Sequence, residues 1–393
     1  MTPRHFGAFA GILGFELGFS TLRGEPLAAT VSEVDEAASA VIEYHHPDVP
    51  NLGDIRGVDP SSRDLRGVEV VCAGFPCTDL SQAGKKHGLY GSQSGLAFEL
   101  LRIIESRRAP VVVLENVEAM LSRGKGRAMA DLIGEFERLG YGWAYRLVDA
   151  RAFGLPQRRR RLLFVFALRD SGINPEHVLF ADEHGAPPKV SVDRWSEAPF
   201  SFSWTEGKSG VGAAFDEVGP FRVGSGFGIP SPPAIVDLRR PVGHQVFLPD
   251  IRDAERLQGF EEDWTEPAEI VGPAKHRWKL VGRAVPPAMA GWVADRLRRP
   301  GQRTCSTKPR WKDGSWPKAA FGRNGQRTEV VASTFPVQLD RPGLREFLRH
   351  KGAPLSARAT RGFLKRLQSG TLRLSRQSDF IDTLTRHAVA IGR

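Results

Sequence analysis

Three stretches of the chain carry side chains whose types and spacing could do chemistry. The first is Ala73-Gly74-Phe75-Pro76-Cys77-Thr78-Asp79-Leu80-Ser81, where Cys77 follows a short apolar run and a Gly-Phe-Pro turn. That turn would present Cys77 at the carboxyl edge of a sheet, where open α/β sheets bind ligands. A thiolate in such a place is a nucleophile. In the second, the apolar run 110–114 stops at Glu115-Asn116-Val117, which sets a carboxylate at another strand end. A nucleophile and an acid would then share one rim of a sheet. The third is Gln157-Arg158-Arg159-Arg160-Arg161, whose guanidinium groups beside the apolar run 162–168 favour anions.

These side chains need a scaffold, and the pattern before and between them is that of an α/β fold. Residues 5–9 read as a strand, and Ala10-Gly11-Ile12-Leu13-Gly14 as a glycine turn entering a helix over 15–19. Glycine there lets backbone approach a ligand. A strand over 28–32 ends in Glu33-Val34, an acid about twenty positions after the turn, as suits a ribose diol. Asp54-Ile55 reads as the close of a third strand, and 68–73 as a buried strand before Cys77. The spacing of Leu96, Leu100, Ile103 and Ile104 predicts a helix over 95–106. A helix over 127–139 and a strand over 143–148 follow, and the rhythm breaks over 170–246, which is rich in Pro, Gly and Ser.

The chain has 393 residues, 41% of them hydrophobic, enough for a large core and two or three domains. No run of 18 apolar residues and no signal-like start is present, so neither a membrane span nor secretion is expected, and the cytoplasm is the default. Cys72, Cys77 and Cys305 are too few and too scattered for a disulfide framework or a metal site, and Cys72 reads as strand core. Net charge is +10, and residues 301–393 alone hold 19 Lys+Arg against 6 Asp+Glu, which leaves −3 for the first 300. So one-sided a distribution points to a polyanion partner, nucleic acid above all.

In this order the pieces resemble the cytosine-C5 DNA methyltransferases over roughly residues 4–298. Phe9-Ala10-Gly11 resembles the family's first, cofactor-binding motif and Pro76-Cys77 its nucleophile motif. Glu115-Asn116-Val117 resembles its acid motif, and Gln157, Arg159 and Arg161 its QxRxR motif. Arg256-Leu257-Gln258-Gly259-Phe260 resembles the ninth motif, and Gly282-Arg283-Ala284-Val285-Pro286-Pro287 the tenth, which returns to complete the cofactor pocket. There are departures. Gly7 stands where an acid is usual, Leu13 where a glycine is, Arg283 where an asparagine is, Asp253 where a glutamate is, and Glu261 where a proline is.

The resemblance implies a Rossmann-like methyltransferase domain with a mostly parallel sheet. It implies S-adenosylmethionine as cofactor, held by Phe9, Ala10, Gly11, Gly14, Glu33, Val34, Asp54, Ile55, Pro76, Arg283 and Ala284. Cys77 would add to C6 of a cytosine flipped from duplex DNA, with Glu115 at N3 as acid or hydrogen-bond donor. Arg159 and Arg161 would steady the base, and Ser81, Gln157 and Arg159 would contact DNA. The stretch 81–94 would close over the base. No metal is implied. The expected organisation is a catalytic domain over 1–169, a target-recognition region over 170–246, a return segment over 247–298 and a basic extension over 299–393.

The chain is expected to act as a monomer on DNA in the cytoplasm, with a cognate restriction endonuclease as a possible partner. The alternatives are an RNA (tRNA) cytosine-C5 methyltransferase of the same fold and a catalytically silent DNA-binding homologue. In the extension, 300–315 reads as linker, and 344–350 and 359–367 as short basic helices. These would either add phosphate contacts or pack on the recognition region as core.

Overall fold

The computed structural model describes residues 4–21, 27–75, 95–185, 197–204, 210–221, 232–308, 315–372, 374 and 376–392. Pro76, Cys77, Ser81 and the expected closing stretch over 81–94 lie outside the described residues. The chain divides into two compact units: Met1–Phe153, Arg160–Pro187 and Ala284–Gln338 form one, and Gly154–Arg159, Pro188–Arg283 and Leu339–Arg393 the other.

The first unit opens with β1 (His5–Ala8), α1 (Gly14–Thr21), β2 (Ala29–Ser32), α2 (Glu36–His45), β3 (Val70–Gly74) and α3 (Gly95–Arg107). It continues with β4 (Val111–Val117), α4 (Arg127–Arg138), β5 (Tyr141–Asp149), β6 (Arg160–Leu168) and α5 (Pro175–Leu179). The second unit then holds β7 (Phe200–Trp204), β8 (Val211–Phe215), β9 (Ala234–Val236), β10 (Val246–Leu248), α6 (Ile251–Leu257) and α7 (Lys275–Arg283). The chain re-enters the first unit with α8 (Pro287–Arg298), β11 (Ser306–Lys308), β12 (Ala319–Arg323) and β13 (Gln326–Val331). It ends in the second with α9 (Leu344–Phe347), β14 (Ala353–Pro354), α10 (Ala357–Ser369) and α11 (Gln377–Ala390).

The first unit is built on a nine-stranded sheet of order β11-β13-β12-β5-β6-β4-β3-β1-β2. Its block β2-β1-β3-β4 is parallel, the part that the alternating strand and helix pattern foretells. From β4 onward every neighbour is antiparallel: β6 runs back along β4, β5 pairs with β6 across a connection that holds a 3₁₀ turn over Ala150–Phe153, and β12 and β13 form a hairpin. The sequence Val-Val-Cys-Ala of β3 is buried throughout, as a strand covered on both faces requires.

Two strand ends differ from expectation. The chain around Asp54-Ile55 is not a strand: Asp54 caps a single 3₁₀ turn over Ile55–Gly57 by accepting from Arg56 N, which suits a short acidic side chain better than a sheet does. β4 does not stop before Glu115 but runs on to Val117, since β6 pairs with it as far as Val117↔Arg161.

Residues 299–393 do not form one extension. β12 pairs with β5 at Ala319↔Arg146 and draws β13 and β11 into the large sheet, so part of the expected linker is strand. Trp316 seals that edge against Trp143 and Tyr145, and its indole N–H donates to Gly126 O at 2.9 Å. In the second unit a five-stranded antiparallel sheet, β14-β10-β9-β7-β8, is completed by the last part of the chain. Leu355, Phe363, Leu367, Phe380 and Leu384 pack with Phe200, Phe202, Val236 and Val246 in one core.

Candidate active site

The carboxyl edge of the parallel block gathers most of the side chains singled out above. β3 and β4 pair in register with Gly74 opposite Glu115, so the chain leaves β3 beside Glu115. A Cβ on Gly74 would lie 3.4 Å from Glu115 Oε2. Asn116, the next residue of β4, turns its buried amide to donate to Phe75 O at 3.2 Å and so fixes the segment that leads into Cys77.

Arg161 comes from the other side. It sits opposite Val117, so on the pleat it is the diagonal, same-face neighbour of Glu115. Its Nε lies 2.5 Å from Glu115 Oε1, with both side chains largely buried. Burial pulls the Arg161 pKa down while the Glu115 charge holds it up.

The four arginines take internal partners rather than a common anion. Arg160 lies 3.6 Å from Glu118 and 3.7 Å from Asp149, and Arg158 pairs with Glu217 at 2.6 Å. Arg159 is buried and donates to Gly282 O at 3.1 Å. Gln157 is buried on a strand-like bridge to Val218. The cause is local: Val218 N–H donates to Pro156 O at 2.9 Å and Arg158 N–H to Val218 O at 2.8 Å, a pairing that holds the Gln157 backbone inside.

The glycine turn and the end of β2 form a second cluster on the same block. Gly11, at φ +56, donates its N–H to Glu33 Oε2 at 2.7 Å, while Val34 N and Asp35 N donate to Glu33 Oε1 at 2.9 and 2.8 Å. Val34 is 68% exposed beside that carboxylate. Asn51 ties in the next segment, accepting from Glu33 N and Gly53 N. Asp54 adds an ion pair to Arg56, whose hydrogen bond lowers its pKa. Phe9 and Leu13 both hold positive φ, +56 and +70, a conformation that side chains rarely adopt. Leu13 is anchored in it by burial against Ala29, Val31, Ile42 and Val49.

Gly14, at the start of α1, lies against the returning segment. A Cβ there would fall 2.2 Å from Val285 O, and one on Gly18 would fall 2.5 Å from Pro287 O. The two glycines, one helical turn apart, let the returning segment lie directly on α1. Val285 also comes within 3.7 Å of the Cβ position of Gly74, so this segment runs from the glycine turn to the β3 exit. Ala284 is buried there, and Arg283 is exposed at the end of α7.

One residue was missed. Glu16 on α1 is 1% exposed and occupies the space over Gly7, where an added Cβ would lie 1.9 Å from its Oε1. Burial raises its pKa from 4.5 to about 7. Its ligand atom, those of His5 and of Cys72 all lie within 4.8 Å of one another. The signal was the pairing of a glycine at position 7 with an acid on the apolar side of the next helix.

The fold is that of a Rossmann-like methyltransferase. A solved Dnmt2 methyltransferase of S. pombe aligns with 75% of this chain and 98% of its own at TM-score 0.53 and 14% identity. A DNMT2 structure from Spodoptera frugiperda aligns with 75% and 99% at TM-score 0.51 and 11% identity. In sequence, residues 5–197 match the C-5 cytosine-specific DNA methylase family. The chain is 39% identical to the Type II methyltransferase M2.BsuMI of Bacillus subtilis (strain 168), covering 96% of each, and 34% identical to M.BsuFI of Bacillus subtilis over 42% of this chain and 39% of that one. The chain therefore belongs to the C-5 cytosine-specific DNA methylase family and is a DNA (cytosine-5-)-methyltransferase.

Proposed function

We infer that the protein methylates C5 of a cytosine flipped out of a specific duplex sequence, with Cys77 as nucleophile. The observation that carries this reading is the register of Gly74 with Glu115, beside the Arg161 ion pair, at the strand end that leads to Cys77. The Cys77 thiolate forms a bond to C6, which moves electron density to C5 and N3. Glu115 meets that charge at N3, and Arg161 orients the Glu115 carboxyl. C5 then takes a methyl group and gives up its proton to a base, and the ring expels the thiolate, restoring both aromatic ring and enzyme.

The residues around Glu33 fit S-adenosylmethionine, which when bound supplies the electrophilic methyl group. Three backbone N–H groups aim the Glu33 carboxylate, and a Cβ at Gly11 would meet nothing within 4 Å, which leaves an open cradle. Glu33 would take the ribose hydroxyls, exposed Val34 the flat face of the base, and Ala10, Gly11, Asp54 and Ile55 the remaining edges. Residues 170–246 would read the sequence of the duplex.

Relatives named as Type II methyltransferases favour a modification role beside a restriction endonuclease of the same specificity, in the cytoplasm. Among the described residues no helix is long and apolar enough to cross a membrane. Bisulfite sequencing of DNA from cells expressing the protein tests the proposal. It should show protected cytosines in one short sequence context, none of them in cells expressing Cys77→Ala. Protection that survives in that variant would refute the nucleophile.

A further inference from the structure

We propose that the outer face of α10 is a phosphate-contact surface for duplex DNA, which rests on duplex DNA being the substrate. The helix has two opposed faces. Thr360, Phe363 and Leu367 are buried, whereas Arg358, Arg361 and Lys365 are exposed. At 100° per residue the three cations share about 60° of arc opposite the buried stripe and span about 10 Å along the axis. Each strand of duplex DNA carries a phosphate for every 3.4 Å or so of duplex axis, so a row of that length along the axis faces about three.

Elsewhere in this unit, three of the more buried arginines pair with carboxylates of their own chain. Arg345 meets Asp237 at 2.8 Å, Arg256 meets Asp253 at 3.0 Å, and Arg277 meets Glu255, Asp263 and Glu269 at 2.9 to 3.1 Å. Among the described residues no carboxylate lies in ion-pair range of Arg358, Arg361 or Lys365. Between Glu346 and Asp379 the chain has eight Lys+Arg and neither Asp nor Glu, while α11, next along, carries Asp379 and Asp382. Like charges at i,i+3 and i,i+4 repel by a few tenths of a kcal/mol per pair, and a merely solvated helix gains by interleaving acids. A polyanion would turn that repulsion into attraction. Phosphate contacts position a protein without reading sequence, so this face adds affinity and leaves the methylated sequence alone.

The test is the triple variant Arg358→Gln/Arg361→Gln/Lys365→Gln in the full chain, with a short duplex as probe. Binding is titrated from about 50 to about 200 mM salt, the range over which phosphate contacts dominate. The slope of log affinity against log salt should shrink by about 2 to 3. KM for DNA should rise several-fold near physiological salt, with kcat at saturating DNA and the bisulfite pattern unchanged. An Arg358→Lys/Arg361→Lys variant should keep the wild-type slope. A folded triple variant with the wild-type slope would overturn the proposal, as would a lowered slope in the lysine variant, since that would trace the effect to packing. Failure of the wild type itself to methylate duplex DNA would instead overturn the function on which it rests.

Discussion

Glu115 and Arg161 lie far apart in the sequence and meet because β6 runs antiparallel beside β4. In the proposed mechanism the Glu115 carboxyl donates to N3, an interaction that strengthens as negative charge develops on the ring rather than one that binds the neutral base. Glu115→Gln is accordingly expected to slow single-turnover methylation at least a hundredfold while DNA affinity stays within a few-fold. An unchanged single-turnover rate would remove Glu115 from the mechanism. Glu16 gives a second residue-scale prediction. Its pKa is 4.5 as reference and about 7 when folded, so the folded state holds the extra proton between those values. Stability should therefore fall as pH rises from about 4.5 to about 7 and level off above, by about 3 kcal/mol at most. Glu16→Gln should flatten that decline, which urea unfolding at mildly acid and mildly alkaline pH would measure; parallel declines in both proteins would contradict it. The placement of Glu115 at a strand end, in register with the exit of β3, was legible from residue type and position alone. Glu16 was not, because its meaning depends on the empty space over Gly7, which only the packing of α1 creates.

At the scale of elements, the parallel strands were legible because their apolar runs are short, continuous and bounded by turns. The glycine spacing of α1 was legible as a turn but not as a docking groove, since the partner backbone at Val285 lies some 270 positions away. The β12–β13 hairpin announced itself in Asn324-Gly325, both at positive φ as a two-residue hairpin turn demands, and was overlooked in a stretch taken as basic extension. α10 was legible as a helix over 359–367, but its packing partners and α11 were not, because the apolar stripes of both face β-strands that are formed by residues well over a hundred positions earlier. Phe363 is 0% exposed and its ring lies 4.1 Å from that of Phe202, with Trp204 and Phe380 around it. Phe363→Ala should cost about 3 to 5 kcal/mol. A fall in Tm with little change in the activity of the protein that stays folded would support this, and an unshifted Tm would show that the ring is not core.

For the whole molecule, the charge of the last 93 residues and their structural role prove to be separate matters. Leu344, Leu355, Phe363, Leu367, Phe380 and Leu384 belong to cores of the second unit, so deleting residues 339–393 should yield aggregated or unfolded protein rather than a weaker DNA binder. A soluble, cooperatively unfolding truncation would contradict that. The large sheet likewise depends on the return of the chain, through Val285 at the site and β12 at the far edge. The proposed chemistry converges on one bond, from the Cys77 sulfur to C6 of cytosine. The most direct measurement uses duplex DNA carrying 5-fluorocytosine, in which C5 has no proton to give up after methyl transfer, so the ring cannot expel the thiolate. With S-adenosylmethionine present, wild-type protein should form a denaturation-resistant complex with this DNA, and peptide mass analysis should place the attachment at Cys77. Cys77→Ala should form none. No adduct from a wild-type protein that methylates ordinary DNA, or attachment at another residue, would contradict the account.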